Sequence, residues 1–175
     1  GVIRGGKLML EKRQKKLLAI VLIIIMLILA VVIHNHFFAT QKIKVYFANK
    51  QATYLIAKTR EVKTKELYTN AIKQLINGPR ADDLVLTIPP QTKLLGIELS
   101  AKKAVVNLSK EFREEHWGGT AGETMTVYSL VNTLTQFDKI NEVKILIGGE
   151  EITTLAGHME LEEPLSFNSK IIKAE

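Results

Sequence analysis

The sequence predicts an α+β domain, a two-layer sandwich of a small mixed sheet with helices on one face, preceded by one transmembrane helix. Three observations carry that reading. The run from Leu17 to Ile33 holds seventeen residues without a charge, a polar side chain, a Gly or a Pro. Beyond it, strand-like and helix-like patterns follow one another in the order ββα, ββα, β. The 175 residues include no cysteine, so the core of the domain rests on packing alone.

A helix over Leu17 to Ile33 spans about 25 Å, near the lower limit for a hydrocarbon core of about 30 Å. Continuation through His34, Asn35 and His36 to Phe37 and Phe38 extends it into residues that suit an interface, giving an anchor over 17–38. Leu17, Ile20, Ile24, Leu27 and Val31 are among the residues expected to form the anchor. A core helix of a soluble protein shows a polar stripe, and this one has none. Arg4, Lys7, Lys12, Arg13, Lys15 and Lys16 precede the run, opposed only by Glu11, for a net charge of +5. His34 to Gln41 carries no Lys or Arg. The positive-inside rule therefore puts residues 1–16 in the cytoplasm and the rest outside. Of the whole-chain charge of +6, only about +1 is left beyond the anchor, so the high pI signals topology rather than nucleic-acid binding. A cleaved signal has a shorter apolar part and a small-residue site, which Phe37-Phe38-Ala39-Thr40 does not provide.

The remaining residues are enough for one domain, expected over 43–167 with a tail over 168–175. Ile43 to Phe47 and Tyr54 to Val62 read as a hairpin around Asn49-Lys50-Gln51. Thr64 is placed to cap a helix carrying Leu67, Ala71, Ile72, Leu75 and Ile76, which Asn77-Gly78-Pro79 stops. Pro89-Pro90 forces extended backbone in a long connection. Leu94 to Leu99 and Ala104 to Leu108 are the next strands, and Ser109 is placed to cap a short helical turn. Thr120-Ala121-Gly122-Glu123 fits a capping box for a helix presenting Val127, Leu130, Val131, Leu134 and Phe137. Val143 to Ile147 is a strand, with a shorter one expected over Ile152 to Leu155.

No catalytic constellation emerges. His34 and His36 flank the anchor and suit the interface; His116 and Trp117 sit before two glycines, in a surface turn with the indole packed on the domain. His158 and Glu160 share one side of an extended segment, but two ligands make no zinc site. No Ser lies in a G-x-S-x-G context, and the carboxylate pairs Asp82-Asp83, Glu114-Glu115, Glu150-Glu151 and Glu162-Glu163 fall in polar loops. Gly118 to Gly122 precedes a helix but lacks the Lys and spacing of a P-loop. No cofactor and no metal are expected.

Several short stretches, taken in order, resemble a known family. They are Val45-Tyr46-Phe47, Leu75 to Pro79, Ile88 to Thr92, Val105 to Phe112, and Leu130 to Phe137 followed by Val143-Lys144-Ile145. Together they are similar to the GerM (sporulation and spore germination) domain family. The resemblance implies a non-catalytic envelope domain of Gram-positive bacteria, with a fold like the ring-building motifs of secretion systems. It implies structural roles for Gly78, Pro79, Pro89, Asn107, Ser109, Phe112, Asn132, Thr133 and Leu134. The family's namesake is a lipoprotein with two such domains, whereas this chain is expected to have one domain and a transmembrane anchor. The expected partners are the membrane and other envelope proteins, or further copies of the chain, met through a sheet edge or the helix face. The alternative is a module for peptidoglycan or another wall polymer, with Tyr46, Tyr54 and Trp117 available to stack on sugars.

Overall fold

The computed structural model describes residues 2–173, with side chains for 13–34 and 39–173. The chain divides into two units, Gly1–Ala39 and Thr40–Glu175. In the first, α1 (Val2–Phe38) is one continuous helix of 37 residues. Its stretch Arg13–His34 has a mean hydropathy of 3.4. Those 22 residues give about 33 Å of helix, enough to cross a bilayer core. Leu17, Ile20, Ile24, Leu27 and Val31 are all exposed. The side chains of Arg4, Lys7, Lys12, Asn35, His36, Phe37 and Phe38 lie outside the described residues, as do Ala174 and Glu175 of the expected tail.

The second unit has the α+β architecture that the sequence pattern predicts, with its strands shared between two sheets. In the first sheet β1 (Thr40–Asn49) lies between β2 (Leu55–Lys63) and the short β3 (Leu84–Val85), antiparallel to both. The second sheet runs β4 (Leu94–Ser100), β5 (Lys103–Leu108), β6 (Glu142–Ile147), β7 (Glu150–Glu151), with β8 (Leu165–Ser166) also paired to β6. Only β5 and β6 are parallel. Parallel neighbours need a crossover, and α3 (Glu111–Glu114) and α4 (Thr120–Leu134) supply it.

Helix α2 (Leu67–Ile76) buries Ala71, Ile72 and Leu75 and touches β1, β2 and β4. Helix α4 touches α2, β1, β6 and β8, and so packs between the sheets. Along β1 the pleat separates two cores. Ile43, Val45 and Phe47 enter the larger one with Leu75, Leu130, Leu134 and Ile145. Tyr46 and Ala48 enter a smaller one with Leu55 and Met125, closed by Ile171 and Ile172. Residues 168–173, set apart in sequence as a tail, are thus packed on the domain. Leu55 N donates to Ile171 O at 2.6 Å and Lys173 N to Leu55 O at 2.9 Å, a parallel bridge onto the edge of β2.

The helix ends separate local from tertiary control. The end of α2 follows the sequence: Gly78 takes φ +79°, its N–H reaches Leu75 O at 3.1 Å, and Pro79 leads the chain away. The start does not. The residue before Leu67 is Glu66 at φ 58°, without a side-chain cap, so Thr64 is not the cap. Asn70 Nδ2 instead reaches back to Lys65 O at 2.7 Å and Lys63 O at 3.2 Å. Ser109 likewise does not cap α3; Lys110 holds that position. Its hydroxyl accepts from Lys93 N at 2.9 Å and its N–H donates to Lys93 O at 2.9 Å, tying the end of β5 to the approach to β4. The strand expected over Ile152 to Leu155 is reduced to β7, two residues earlier.

A Cβ at Gly78 would both occupy the left-handed region and run into Leu86 Cδ2. Gly78→Ala is expected to destabilise the domain by about 1–3 kcal/mol, read as a lower urea midpoint of the full chain in detergent. An unchanged midpoint would show that the turn relaxes freely.

Candidate functional site

The four polar positions among the family-motif residues, Asn107, Ser109, Asn132 and Thr133, each bond to backbone elsewhere in the domain. Asn132, fully buried in α4, donates Nδ2 to Asn168 O and accepts from Asn168 N, both at 2.9 Å, and so holds the C-terminal segment. Thr133 Oγ1 accepts from Tyr46 N at 3.2 Å. Beside it, Gln136 accepts from Lys44 N at 2.7 Å and donates to Lys44 O at 2.5 Å. These side chains satisfy β1 backbone groups that face away from β2, so the end of α4 closes a sheet edge that would otherwise be open to another strand. Asn107 Oδ1 accepts from Gly149 N at 2.8 Å, holding the β6–β7 turn. Phe112 and Leu134 are core, Pro89 is buried with its carbonyl accepting from Thr92 N, and Pro79 is half-buried.

The capping box expected at Thr120 and Glu123 does not form. Gly119 precedes α4 without a side-chain cap, and Thr120 is the first helical residue. The Glu123 carboxylate has no exposure at all and points across the domain instead. Oε1 accepts from Leu155 N and Ala156 N, and Oε2 from His158 N, each at 2.9 Å. Burial pushes its pKa up, but the N–H groups of Ala156, His158, Leu155 and Met159 outweigh that and hold it below the ordinary value. The other end of the same loop is held by Lys144. This residue is 8% exposed, and its ammonium donates to Leu161 O at 3.3 Å and to Glu162 O and pairs with Glu151 at 3.2 Å. Two buried charges therefore fix residues 152–162, one by its carboxylate and one by its ammonium.

His116 lies against this arrangement. Gly118 N donates to its Nδ1 at 2.9 Å, which leaves the proton on Nε2, 3.1 Å from Thr126 Oγ1. Burial depresses its pKa, partly offset by the Glu123 charge and the Gly122 carbonyl. The Trp117 indole stacks on its ring at 5.4 Å and stays half exposed. His158 contributes its backbone N–H to Glu123, and among the described residues no group of three His, Cys, Asp or Glu converges as metal ligands.

The surfaces open to a partner are fewer than the sequence suggests. Helix α4 buries ten of its fifteen residues, so it offers little free face. The exposed apolar side chains of the second unit include Leu95 at 54% and Leu99 at 39%, both on β4, which is a sheet edge. The pairing register shifts between Leu94 and Gly96, and Leu95 sits at that irregularity. Of the three aromatics offered for sugar stacking, Tyr46 is buried and Tyr54 half-buried, with Trp117 alone clearly exposed.

Loss of the Glu123 charge should be costly because several backbone donors would lose an acceptor. Glu123→Gln is expected to destabilise by about 3 kcal/mol at neutral pH, measured by urea unfolding. Because the folded pKa lies below the ordinary 4.5, the unfolded state binds more protons in the acid range. The contribution is therefore complete above pH 4.5 and lost as pH falls through the lower folded value. The urea midpoint of the wild type should fall steeply there and that of Glu123→Gln much less; parallel curves would remove Glu123 as the acid-sensitive group.

With this geometry in view, the relatives are informative. The family model for Germane, described as sporulation and spore germination, matches residues 44–153. No curated protein matches the sequence. Among solved structures, the tandem GerMN domains of the sporulation protein GerM from Bacillus subtilis align over 73% of this chain and 46% of theirs, with 23% identity and TM-score 0.63. The chain thus spans about half the length of that relative. The first GerMN domain alone aligns over 74% of this chain and 98% of its own, with 22% identity and TM-score 0.60. A chain from Clostridium perfringens described as a lipoprotein aligns over 73% and 88%, with 25% identity and TM-score 0.54. The matched region runs from β1 through α4 to the start of the loop pinned by Glu123, and the chain belongs to the Germane family of sporulation and spore germination domains.

Proposed function

We propose that this is a non-catalytic, membrane-anchored envelope protein that acts in sporulation or germination by supporting assembly of an envelope complex. The family match over residues 44–153, carried behind an apolar helix of membrane length, is the observation that supports this most directly. The N-terminus lies in the cytoplasm and residues 40–175 outside, on the strength of the basic residues before the span. The domain works as a protein-interaction module, meeting other envelope proteins or further copies of itself. The polar groups of the family motifs bond internally, and the exposed apolar edge at Leu95 and Leu99 is the surface best suited to a partner. A wall-polymer module is the second reading, favoured by Lys42 and Lys44, both exposed on one face of β1.

The absence of cysteine makes topology directly measurable. Lys139→Cys should react with a membrane-impermeant maleimide in intact cells, whereas Gly5→Cys should react only after permeabilisation. The reverse pattern would overturn the orientation, and a chain recovered without its first 38 residues would replace the anchor by a cleaved signal. For the interaction, Leu95→Asp should abolish cross-links to the partner in cells while leaving the unfolding midpoint within about 0.5 kcal/mol of wild type. Undiminished cross-linking would rule out the β4 edge.

A further inference from the structure

Two clefts meet along the β1–β2 face. One, of about 670 Å³, is lined by Lys42, Lys44, Tyr46, Thr59 and Phe167 among others. The second, of about 580 Å³, is lined by Lys44, Tyr46, Ile56, Phe167, Ile172 and Lys173. They share Lys44, Tyr46 and Phe167, so they form one trough with a lysine towards each end and one between.

The lysines follow from the register. Lys42 and Lys44 stand two apart on one strand, on the same face and about 7 Å from each other. Thr59 lies opposite Lys44, and Glu61 opposite Lys42, where Thr40 Oγ1 donates to the Glu61 carboxylate at 2.5 Å. Neither cleft has an acidic lining residue, and Lys173, at the far end, also borders a neighbouring cleft with Tyr54 and Asp83. Three ammonium groups are thus gathered on one side of a domain whose net charge is only about +1. Phe167, 44% exposed, stands edge-on to Tyr46 at 6.1 Å, and Lys173 Nζ lies 5.9 Å over the Tyr54 ring. Aromatic and aliphatic walls beside the cations exclude water from one side of a bound anion and strengthen its attraction.

The chemistry of the occupant follows from these parts. Lysine is a point charge without the fork that pairs a carboxylate, and it suits phosphate oxygens approached from any direction. A single anion would use one lysine and leave most of the trough empty. A chain with a phosphate at every short repeat would meet the lysines in turn and lay its carbon units on Phe167 and Ile172. We propose that this trough binds an anionic phosphodiester polymer of the cell envelope, held by Lys42, Lys44 and Lys173. The identity of the polymer rests on the extracytoplasmic placement above; binding in vitro does not.

The test uses the full chain in nanodiscs of zwitterionic phosphatidylcholine, titrated calorimetrically with poly(glycerol phosphate). Saturable binding is expected, weakening about 20-fold between 50 and 200 mM salt if three phosphates are neutralised. Lys44→Gln and Lys173→Gln should each weaken it at least about 3-fold, and Lys139→Gln, exposed and outside the trough, by less than about 2-fold. The Lys44 contacts with Gln136 are made by its backbone and survive the substitution, so circular dichroism melting should be unchanged. No binding, or an equal loss in Lys139→Gln, would overturn the proposal. Displacement of the polymer by phosphatidylglycerol in the disc would overturn it in favour of lipid headgroups. If binding holds while cysteine labelling places residue 139 in the cytoplasm, the trough stands and the envelope reading falls.

Discussion

Glu123 places a full negative charge where no water reaches it, at the start of the helix that lies between the two sheets. An isolated carboxylate there would take up a proton rather than remain charged. It remains charged because Leu155, Ala156 and His158 turn their N–H groups inward and donate to its two oxygens. The dependence runs both ways: the loop has no regular ladder to satisfy those donors, and the carboxylate has no solvent. Loop, helix start and the His116 turn beside them are therefore specified together.

The same logic recurs along α4. Thr133 and Gln136 satisfy the backbone of β1, and Asn132 satisfies Asn168. One helix thereby supplies the polar partners that a neighbouring strand would supply in a larger sheet. This explains why polar residues in α4 are as buried as its Leu and Val residues. A buried hydroxyl or amide costs stability unless it is paired, and the pairings of Asn132, Thr133 and Gln136 are to backbone at fixed positions. The contacts set register as well as stability.

These features also mark where sequence reasoning succeeds. The α+β class, the hairpin at the start and the Gly78 turn are governed by periodicity or by one residue's backbone freedom, and both are local. The caps are different. Thr64, Ser109 and the Thr120–Glu123 pair all have the spacing of local caps, and all three positions are resolved otherwise. At Ser109 and Glu123 the better partners are Lys93, sixteen residues away, and a loop more than thirty residues away. Lys144 reads as a polar interruption in a strand, and nothing near it in sequence announces that Leu161 and Glu162 will cover it. The trough is equally hidden, because Lys44 and Lys173 are brought together only by the final segment.

The segment 168–173 has a consequence for how the core closes. Ile171 and Ile172 close the core around Tyr46 and Leu55, and Asn168 is held by Asn132. The first strand of the domain is therefore completed by residues more than 120 positions further along the chain. Until they arrive, Tyr46 and Ala48 lack part of their cover and the domain cannot reach its full stability. Closure of this small core is thus a long-range event, and a break anywhere between β1 and residue 171 would leave the two halves of one core on separate pieces of chain.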